Sequence, residues 1–433
     1  MADTPGAPHR GGGGLPRLGM FDSLRIRDFR FLWVSNLAAT FGMHMQMVAR
    51  GWLIYDMTSS PMALTWVMLS FMLPSFLFSL VGGVLADRLP KKSIMMISQL
   101  LNAVSTSLLA VIIYRGDVTF AHFIYFGIFN GTVMSLGMPA RTSVVPEVVG
   151  RQSLVNAMAL QSATFNLSRI LGPALAGALI ALFASGDTSS TRGVGIVFFC
   201  IAAFSLVSFV ATWRLHYVGA PLERRAATPF EDMKEGLRYM REERLILGLL
   251  VLGFVPMTFG FSASFLLPAF NKDVIGGGPE DLGLMMTAMG AGALVGALTL
   301  AHLGDIGGKG RMMFVAAYCW AVSLAGFALS EDLALAMFLG ALTGLFGAVC
   351  GSVNMSIVQL AVRPEIRGRV MSIMMMAQGL MPLGIIPISG VAELAGIHPA
   401  LLLAALLLAL SMIWIDRAFP GLARIDKGHS GIV

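Results

Sequence analysis

The sequence GGVLADRLPKK, residues 82–92, places four charged side chains between two long apolar segments. A second stretch, AHLGDIGGKGR at residues 301–311, has the same character and puts Asp305 218 residues after Asp87. Charged side chains are costly inside a bilayer, so each stretch predicts a turn at the membrane surface between two spanning helices. The repetition indicates that the chain contains two copies of one structural unit.

Three further landmarks occur twice with the same offset of 218 residues. They are TFG at 40–42 and 258–260, Pro-Glu at 146–147 and 364–365, and Gly-Arg at 150–151 and 368–369. Four matches in one register are not expected by chance, so the sequence predicts two related halves.

The composition excludes an ordinary water-soluble domain. The 433 residues are 56% hydrophobic and 12% charged, with a mean hydropathy of +0.77. A helix needs about 20 apolar residues to cross a bilayer, and twelve such segments are present, at 29–55, 63–86, 93–114, 120–139, 154–184, 193–213, 245–270, 282–303, 312–329, 333–360, 370–394 and 399–415. We predict an all-α membrane protein with twelve transmembrane helices in two pseudo-symmetric six-helix halves.

The same pattern predicts the domain boundaries. A flexible N-terminal tail covers 1–28, the two bundles cover 29–215 and 245–416, a linker covers 216–244, and a second tail covers 417–433. Within the linker, Phe230, Met233, Leu237 and Met240 recur at helical spacing, which favours an amphipathic helix on the membrane surface. A solvated helical linker is the alternative. The N-terminal tail lacks a signal-peptide core, so we expect the first helix to direct insertion.

Lysine and arginine are unevenly distributed between the two sets of predicted loops. If the N-terminus is cytoplasmic, 25 of the 30 lie on the inner side and three on the outer side. This bias predicts a multi-pass protein of the cell inner membrane with both termini in the cytoplasm. The net charge of +6 then reflects contact with membrane lipid, and no basic patch with interleaved aromatic residues points to nucleic acid.

The sequence offers no enzyme or cofactor signature. It contains no phosphate-binding loop, no HExxH or CxxC spacing and no GxSxG motif. Cys200, Cys319 and Cys350 are scattered within predicted spans, so we expect no disulfide and no zinc site. We therefore predict a protein that is not an enzyme and has no metal or cofactor.

The twelve spans and the repeated charged loop resemble the major facilitator superfamily. Gly83, Ala86, Asp87 and Arg88 match that family's loop signature, Pro90 replaces its glycine, and Lys91 and Lys92 supply its basic pair. The second copy retains Gly304, Asp305, Gly308 and Lys309, followed by Arg311, but lacks the arginine after the aspartate.

A finer resemblance is carried by residues 138–180 and 47–67, which are similar to the enterobactin-exporter and macrolide-efflux branch. Gly172, Pro173 and Gly177 resemble the fifth-helix motif of antiporters, with Ala176 in place of a glycine. The resemblance implies a monomeric secondary transporter that exports a siderophore-like or drug-like molecule, with protons as the coupling ion. An uncoupled facilitator or an importer is the alternative.

The resemblance also implies a gate at the charged loop. In this family the loop aspartate lies near the start of the eleventh helix and near an arginine of the fourth helix, here the region of Val370 and Arg141. Such contacts exist only while the halves touch on the cytoplasmic side, so they would favour the outward-open state. The equivalent of Arg141 in the second half is Gln359, which predicts a weaker latch around Asp305. Lys91 and Lys92 have an alternative role in the inward positive bias alone.

Arg169 is the strongest candidate for the transport pathway. It shares one helical face with Ser162, Asn166 and Pro173, so it either lines a cavity or braces the fold. Arg50, one turn after Gln46, lies closer to the outer end and could instead extend to the membrane surface beside Trp52 and Tyr55.

Acidic residues are absent from the middle of every predicted span. Glu393 and Asp56 lie near outer helix ends, and His44 is a lone histidine that titrates near neutral pH or packs as a core residue. Proton coupling would therefore have to use one of these three groups or an acidic substrate.

Overall fold

The computed structural model describes residues 22–184, 191–218, 238–239, 241–304, 307–362, 366, 370–371, 373–374, 379 and 381–425. Its described residues form twelve long helices: α1 Arg27–Thr58, α2 Pro61–Arg88, α3 Lys91–Arg115, α4 Phe120–Gly150, α5 Ser153–Phe183, α6 Thr191–Trp213, α7 Arg244–Ile275, α8 Pro279–Leu303, α9 Lys309–Ala328, α10 Leu333–Ala361, α11 Met381–Ala395 and α12 Ile397–Ala418. This confirms the predicted all-α fold with twelve helices.

Ten of these helices are long and apolar enough to cross a membrane. α11 is apolar but has only 15 residues over its described part. α1 has 32 residues, so its length of about 48 Å exceeds the thickness of the hydrocarbon core, although it is more polar than the other helices. The predicted linker helix at Phe230, Met233, Leu237 and Met240 lies outside the described residues.

Local sequence signals explain where several helices begin and end. Ser60 caps α2 by accepting a hydrogen bond from the Ala63 amide, and Pro61 occupies the first turn, where its missing N–H is not needed. Asp332 caps α10 in the same way through the Leu335 amide. Gly116 ends α3 with a φ of 81°, a left-handed conformation that favours glycine.

The predicted end of the fourth helix at residue 139 is wrong. α4 continues through Pro139 and Pro146 to Gly150, whose φ of 67° and ψ of 176° break the helix before α5 begins. Glycine adopts this backbone conformation without a steric penalty. A proline in a membrane helix bends the helix without ending it, provided that neighbouring groups satisfy the carbonyl that loses its hydrogen bond. The interruption therefore occurs at the glycine and not at the prolines.

The seventh helix also differs from its predicted form as one segment over 245–270. It consists of Arg244–Gly260 and Ser262–Phe270, followed by a π-helical turn at Asn271–Ile275. Gly260 allows Trp320 of α9 to pack against this break, since a Cβ at Gly260 would lie 2.1 Å from the indole ring. Residues 370–380 of the predicted eleventh span are described only in part.

The described residues that adjoin the two termini and the linker lie at one end of the bundle. Arg27 at the start of α1 lies 2.9 Å from the His216 ring after α6, and the Gly310 amide at the start of α9 donates to the carbonyl of Ile425. We call this end the linker end and the opposite end, which contains the turn at Ser59, the far end. Helices α1–α6 form the first half and α7–α12 the second.

Three apolar cores hold the described helices together. The far-end core is continuous across both halves and includes Trp52 and Phe198 from the first half with Phe270 and Leu401 from the second. At the linker end there are two separate cores, one built only from the first half and one only from the second. The apolar packing therefore joins the halves at the far end and leaves them as separate units at the linker end.

Glycines permit the closest approach between the halves, where α5 crosses α8. A Cβ at Gly177 would lie 2.5 Å from the carbonyl oxygen of Pro279, and one at Gly283 would lie 2.6 Å from that of Pro173. Gly172 packs against His44 of α1, where a Cβ would lie 2.9 Å from the histidine Cβ. The antiporter-like residues Gly172, Pro173 and Gly177 thus form a helix-crossing surface.

We predict that Gly177→Leu prevents the far end from closing, because the added side chain would overlap backbone atoms of α8 that cannot move independently. Distances between spin labels across the far end should lengthen, and transport should fall at least tenfold. Ala178→Leu introduces the same side chain on the exposed face of α5 and serves as the control. Equal distances in both variants would contradict this role for Gly177.

Candidate functional site

Polar side chains join the two halves at the far end. The Tyr55 hydroxyl donates to the Asp273 carboxylate, and the Lys272 ammonium lies 2.5 Å from Oδ1 of Asp56. Asp56 is largely buried, so water weakens this ion pair less than it would a fully exposed one. We call the following eight residues the far-end clasp: Tyr55, Asp56, Ser60 and Thr65 from the first half, and Lys272, Asp273, Ser389 and Glu393 from the second.

The second part of the clasp joins α2 to α11. Oε2 of Glu393 accepts hydrogen bonds from the Ser60 hydroxyl at 2.7 Å and from the Met62 amide at 3.2 Å. The Thr65 and Ser389 hydroxyls lie 2.5 Å apart and are buried. The Glu393 carboxylate therefore lies at the N-terminal, positive end of α2 in the other half, an electrostatically favourable position.

The internal repeat explains why this contact lies where it does. Tyr55 and Asp273 are 218 residues apart, the offset that relates the two halves, so they occupy equivalent positions. Residues can contact their own equivalents only close to the axis that relates two copies. The sequence-based prediction missed this contact. The signal for it was present, since Tyr55 and Asp273 are polar residues at the outer ends of their helices and are separated by the same 218-residue offset.

The charged loop at the linker end is tied to its own half. Lys91 is 2% exposed and pairs with Glu147 of α4, while the Lys92 ammonium donates to the Leu215 carbonyl at 2.6 Å. The expectation that Lys91 faces the membrane surface is therefore wrong, because its side chain is buried and the carboxylate of Glu147 compensates its charge. Arg88 is exposed.

The remaining residues of the predicted latch are placed only in part. Arg141 donates to the Ser208 hydroxyl at 3.3 Å, within the first half. Lys309 begins α9, and Arg311 in its first turn is exposed. The surroundings of Gly83 and Asp87 lie outside the described part of the chain, as does Asp305. The contact between Asp87 and Arg141 remains a prediction.

The middle of the first half contains the predicted pathway residues. Arg169 is partly buried on α5, and its Nη2 lies 3.4 Å from the Gly290 carbonyl of α8, across the boundary between the halves. Asn166 donates to the Ser162 carbonyl of its own helix, and Ser162 is exposed. His44 of α1 is buried beside Arg169, with Nδ1 2.8 Å from the Thr40 carbonyl.

Arg50 lies inside the bundle. Its guanidinium lies 5.9 Å from the centre of the Phe71 ring on α2. Trp52 and Tyr55 are 3% and 2% exposed, so neither forms a surface aromatic belt that Arg50 could join. The alternative of extension to the membrane surface beside these two residues is therefore wrong. Gln46 is partly buried, and its Nε2 has no hydrogen-bond partner among the described residues.

A family model described as transmembrane secretion effector matches residues 18–427, almost the whole chain. The chain belongs to this family of major facilitator transporters. It is therefore an integral multi-pass membrane transporter and not an enzyme, as predicted.

Individual relatives agree with the family assignment. The multidrug efflux pump Tap of Mycolicibacterium fortuitum is 27% identical over 396 residues, which cover 88% of this chain and 94% of Tap. The enterobactin exporter EntS of Citrobacter koseri is 25% identical over 68% of each chain, which confirms the resemblance noted from the sequence. The crystal structure of the nucleoside transporter NupG, 14% identical, superposes with a TM-score of 0.72 over 91% of this chain and 99% of NupG, and supports the fold.

We predict that Asp56→Asn weakens the closed far end of this transporter. An ion pair of this exposure contributes about 0.5 to 1 kcal/mol, so its loss should shift the ratio of closed to open molecules by a factor of about two to five. The ratio can be measured as the distance distribution between spin labels at the exposed positions Arg115 and Glu331, one in each half at the far end.

The charge-exchanged double variant Asp56→Lys with Lys272→Asp should restore the distribution seen in the native protein. Asp117→Asn provides the control, since Asp117 is exposed at the same end and has no ion pair among the described residues. An unchanged distribution in Asp56→Asn would remove the ion pair from the mechanism of closure.

Proposed function

We propose that this protein exports small amphiphilic organic molecules across the cell inner membrane by alternating access. The continuous core at the far end, set against separate cores at the linker end, carries the proposal. With the linker end in the cytoplasm, as the positive-inside bias favours, a molecule joined at its far end would leave the middle of the bundle accessible from the cytoplasm and closed from the outside.

The export direction is supported by the relatives. Tap is named a multidrug efflux pump and EntS an enterobactin exporter, and this chain covers most of both. At the start of the transport cycle the far-end clasp is closed and the substrate enters from the cytoplasm. The clasp then opens and the linker end closes, which releases the substrate outside.

The charged loops would stabilise the second conformation. Asp87 would meet Arg141 and the start of the eleventh helix once the halves approach at the linker end, with Asp305, Lys309 and Arg311 forming the weaker copy. Lys91 has a different role, since its ion pair with Glu147 fixes the loop to α4 within the same half. The far-end clasp and the linker-end loops then act as two gates that alternate, so that each gate is closed when the other is open.

We further propose proton antiport, with the coupling group outside the clasp. Asp56 and Glu393 are assigned to the gate, since each contacts the other half at the far end. An antiporter needs a separate group, one whose binding of a proton from outside favours return to the inward-open state. His44 meets the positional requirement, since it lies at mid-membrane beside Arg169 and titrates near neutral pH when exposed to water.

The absence of a carboxylate from the middle of any described helix favours uncoupled facilitation as the second candidate. Every acidic residue in the twelve helices lies within four residues of a helix end. The two candidates differ in their response to a pH gradient, so one assay separates them.

We predict that purified protein in liposomes moves a substrate against its concentration gradient only when a pH gradient is imposed, and that an uncoupler abolishes this accumulation. Labelled siderophore and macrolide compounds that accumulate less in cells with the gene than in cells without it supply the substrate. His44→Gln should remove the gradient dependence while retaining downhill flux. Accumulation that is indifferent to the gradient would establish facilitation instead.

We predict that Asp87→Asn lowers export at least tenfold at equal membrane abundance, because the outward-open state loses the charge that holds the linker end closed. Asp117→Asn, which removes a carboxylate at the far end, should leave export unchanged. Normal flux in Asp87→Asn would remove the latch from the cycle.

A further inference from the structure

Away from the ends of the described transmembrane helices, all charged side chains have one sign. Arg50, Arg141 and Arg169 lie eight or more residues from the nearest end of their helices, whereas every acidic residue of the helices lies within four residues of an end. All three arginines belong to the first half. Away from their ends, the described helices therefore contain three guanidinium groups and no carboxylate, with Arg141 the nearest of the three to the linker end.

The partners of these arginines within the described residues are weak. Arg169 contacts only a backbone carbonyl at 3.4 Å, and its buried Nε has no acceptor. Arg141 donates to one hydroxyl at 3.3 Å. Arg50 faces an aromatic ring and makes no hydrogen bond with any described residue. None of the three has an anionic partner there, although Lys91 and Lys272, nearer the helix ends, each have one.

Further donors without acceptors lie in the same region. Nε2 of Gln46 on α1 and Nε2 of Gln161 on α5 are buried and unpaired among the described residues. α1 and α5 meet at this level, where His44 packs against Gly172 and the His44 ring lies 5.2 Å from that of Phe165. Gln46 is two residues from His44, and Arg169 is three residues from Gly172, so Gln46 and Arg169 occur at similar depth, while Gln161 lies about two turns nearer the linker end.

A buried cation with no counter-charge is unfavourable, and its stabilisation in membrane proteins usually comes from a facing anion or a polar cavity. Here no side chain in the described bundle interior can provide the anion. We propose that the transported molecule itself provides it: the substrate is an amphiphilic anion whose carboxylate, sulfonate or phenolate oxygen pairs with Arg169. This inference rests on the proposed export function and specifies the substrate class.

The apolar part of such a substrate also has a surface to contact. Phe165, one turn from Arg169 on α5, is 43% exposed in the structure, and its ring contacts the His44 ring in an edge-to-face arrangement. The second half contributes no charge at this depth among its described helices, so they offer mainly apolar side chains opposite Arg169. An acidic head bound to the first half and an apolar body facing the second would match this division.

The opposite class of substrate is disfavoured by the same arrangement. A cationic amphiphile at this site would meet Arg169, and no carboxylate in the described interior would offset the repulsion in a medium of low dielectric constant. The charge sign therefore distinguishes this protein from a transporter selective for lipophilic amines, a distinction that the shared fold cannot make.

The test compares two fluorescent probes that share a xanthene ring system and differ in charge, the anion 5-carboxyfluorescein and the cation rhodamine 6G. Binding to the purified full-length protein in a neutral detergent is followed by fluorescence polarisation, and uptake by inside-out membrane vesicles is measured in parallel. We expect the anion to bind at least about tenfold more tightly than the cation, with uptake following the same order.

Three variants assign the effect to Arg169. Arg169→Gln should weaken anion binding at least about tenfold and reduce the preference for the anion. Arg169→Lys should retain part of the preference, because the charge remains while the fork of donors is lost. Arg115→Gln removes an exposed arginine at the far end and should leave binding unchanged. A circular dichroism melt of each variant identifies any that fail to fold.

The outcomes separate this inference from the proposed function. Uptake of the cation without binding of the anion would overturn the inference and leave export intact. Anion binding that depends on Arg169, without uptake of either probe, would support the inference and count against export. Binding of neither probe, or anion binding equal in the native protein and Arg169→Gln, would also overturn the inference.

Discussion

The apolar core shared by both halves at the far end is the contact on which the rest of this structure depends. Lipid solvates the outside of each half as well as another helix would, so nothing in the membrane forces two six-helix bundles together. Contact requires close packing, and glycines provide it where α5 crosses α8. The polar clasp then adds directional bonds around this core, between groups that an open far end would expose to water.

Concentrating the contact at one end has a mechanical consequence. The far-end core includes residues of both halves, whereas each linker-end core is complete within its own half. Each half can therefore move as a rigid unit without exposing its own linker-end core. Opening the far end must break the polar bonds of the clasp and separate the apolar surfaces that the two halves share there, so both contribute to the barrier of the cycle.

Charge has two separate roles in this chain. Near the helix ends, Lys91 pairs with Glu147 and Lys272 with Asp56, so basic residues there serve structure and closure. In the described interior the arginines stand without acidic partners, which is unfavourable unless a bound molecule or water compensates them. The contrast between compensated ends and an uncompensated middle identifies the middle as the region adapted to a ligand, and it supports the assignment of the far-end carboxylates to the gate.

The sequence alone determined the fold class, because hydrophobic length and the positive bias depend on lipid and not on tertiary contacts. It also predicted the doubled architecture, the family and the polar face around Arg169. Tertiary structure decided what each charge contacts: Lys91 was expected at the surface and is buried against Glu147, Arg50 lies over Phe71, and the fourth helix ends at Gly150 instead of residue 139. The contact between Tyr55 and Asp273 could also be seen only in the tertiary structure. These residues are 218 positions apart, and they meet because the packing of the two bundles places both near the axis that relates them.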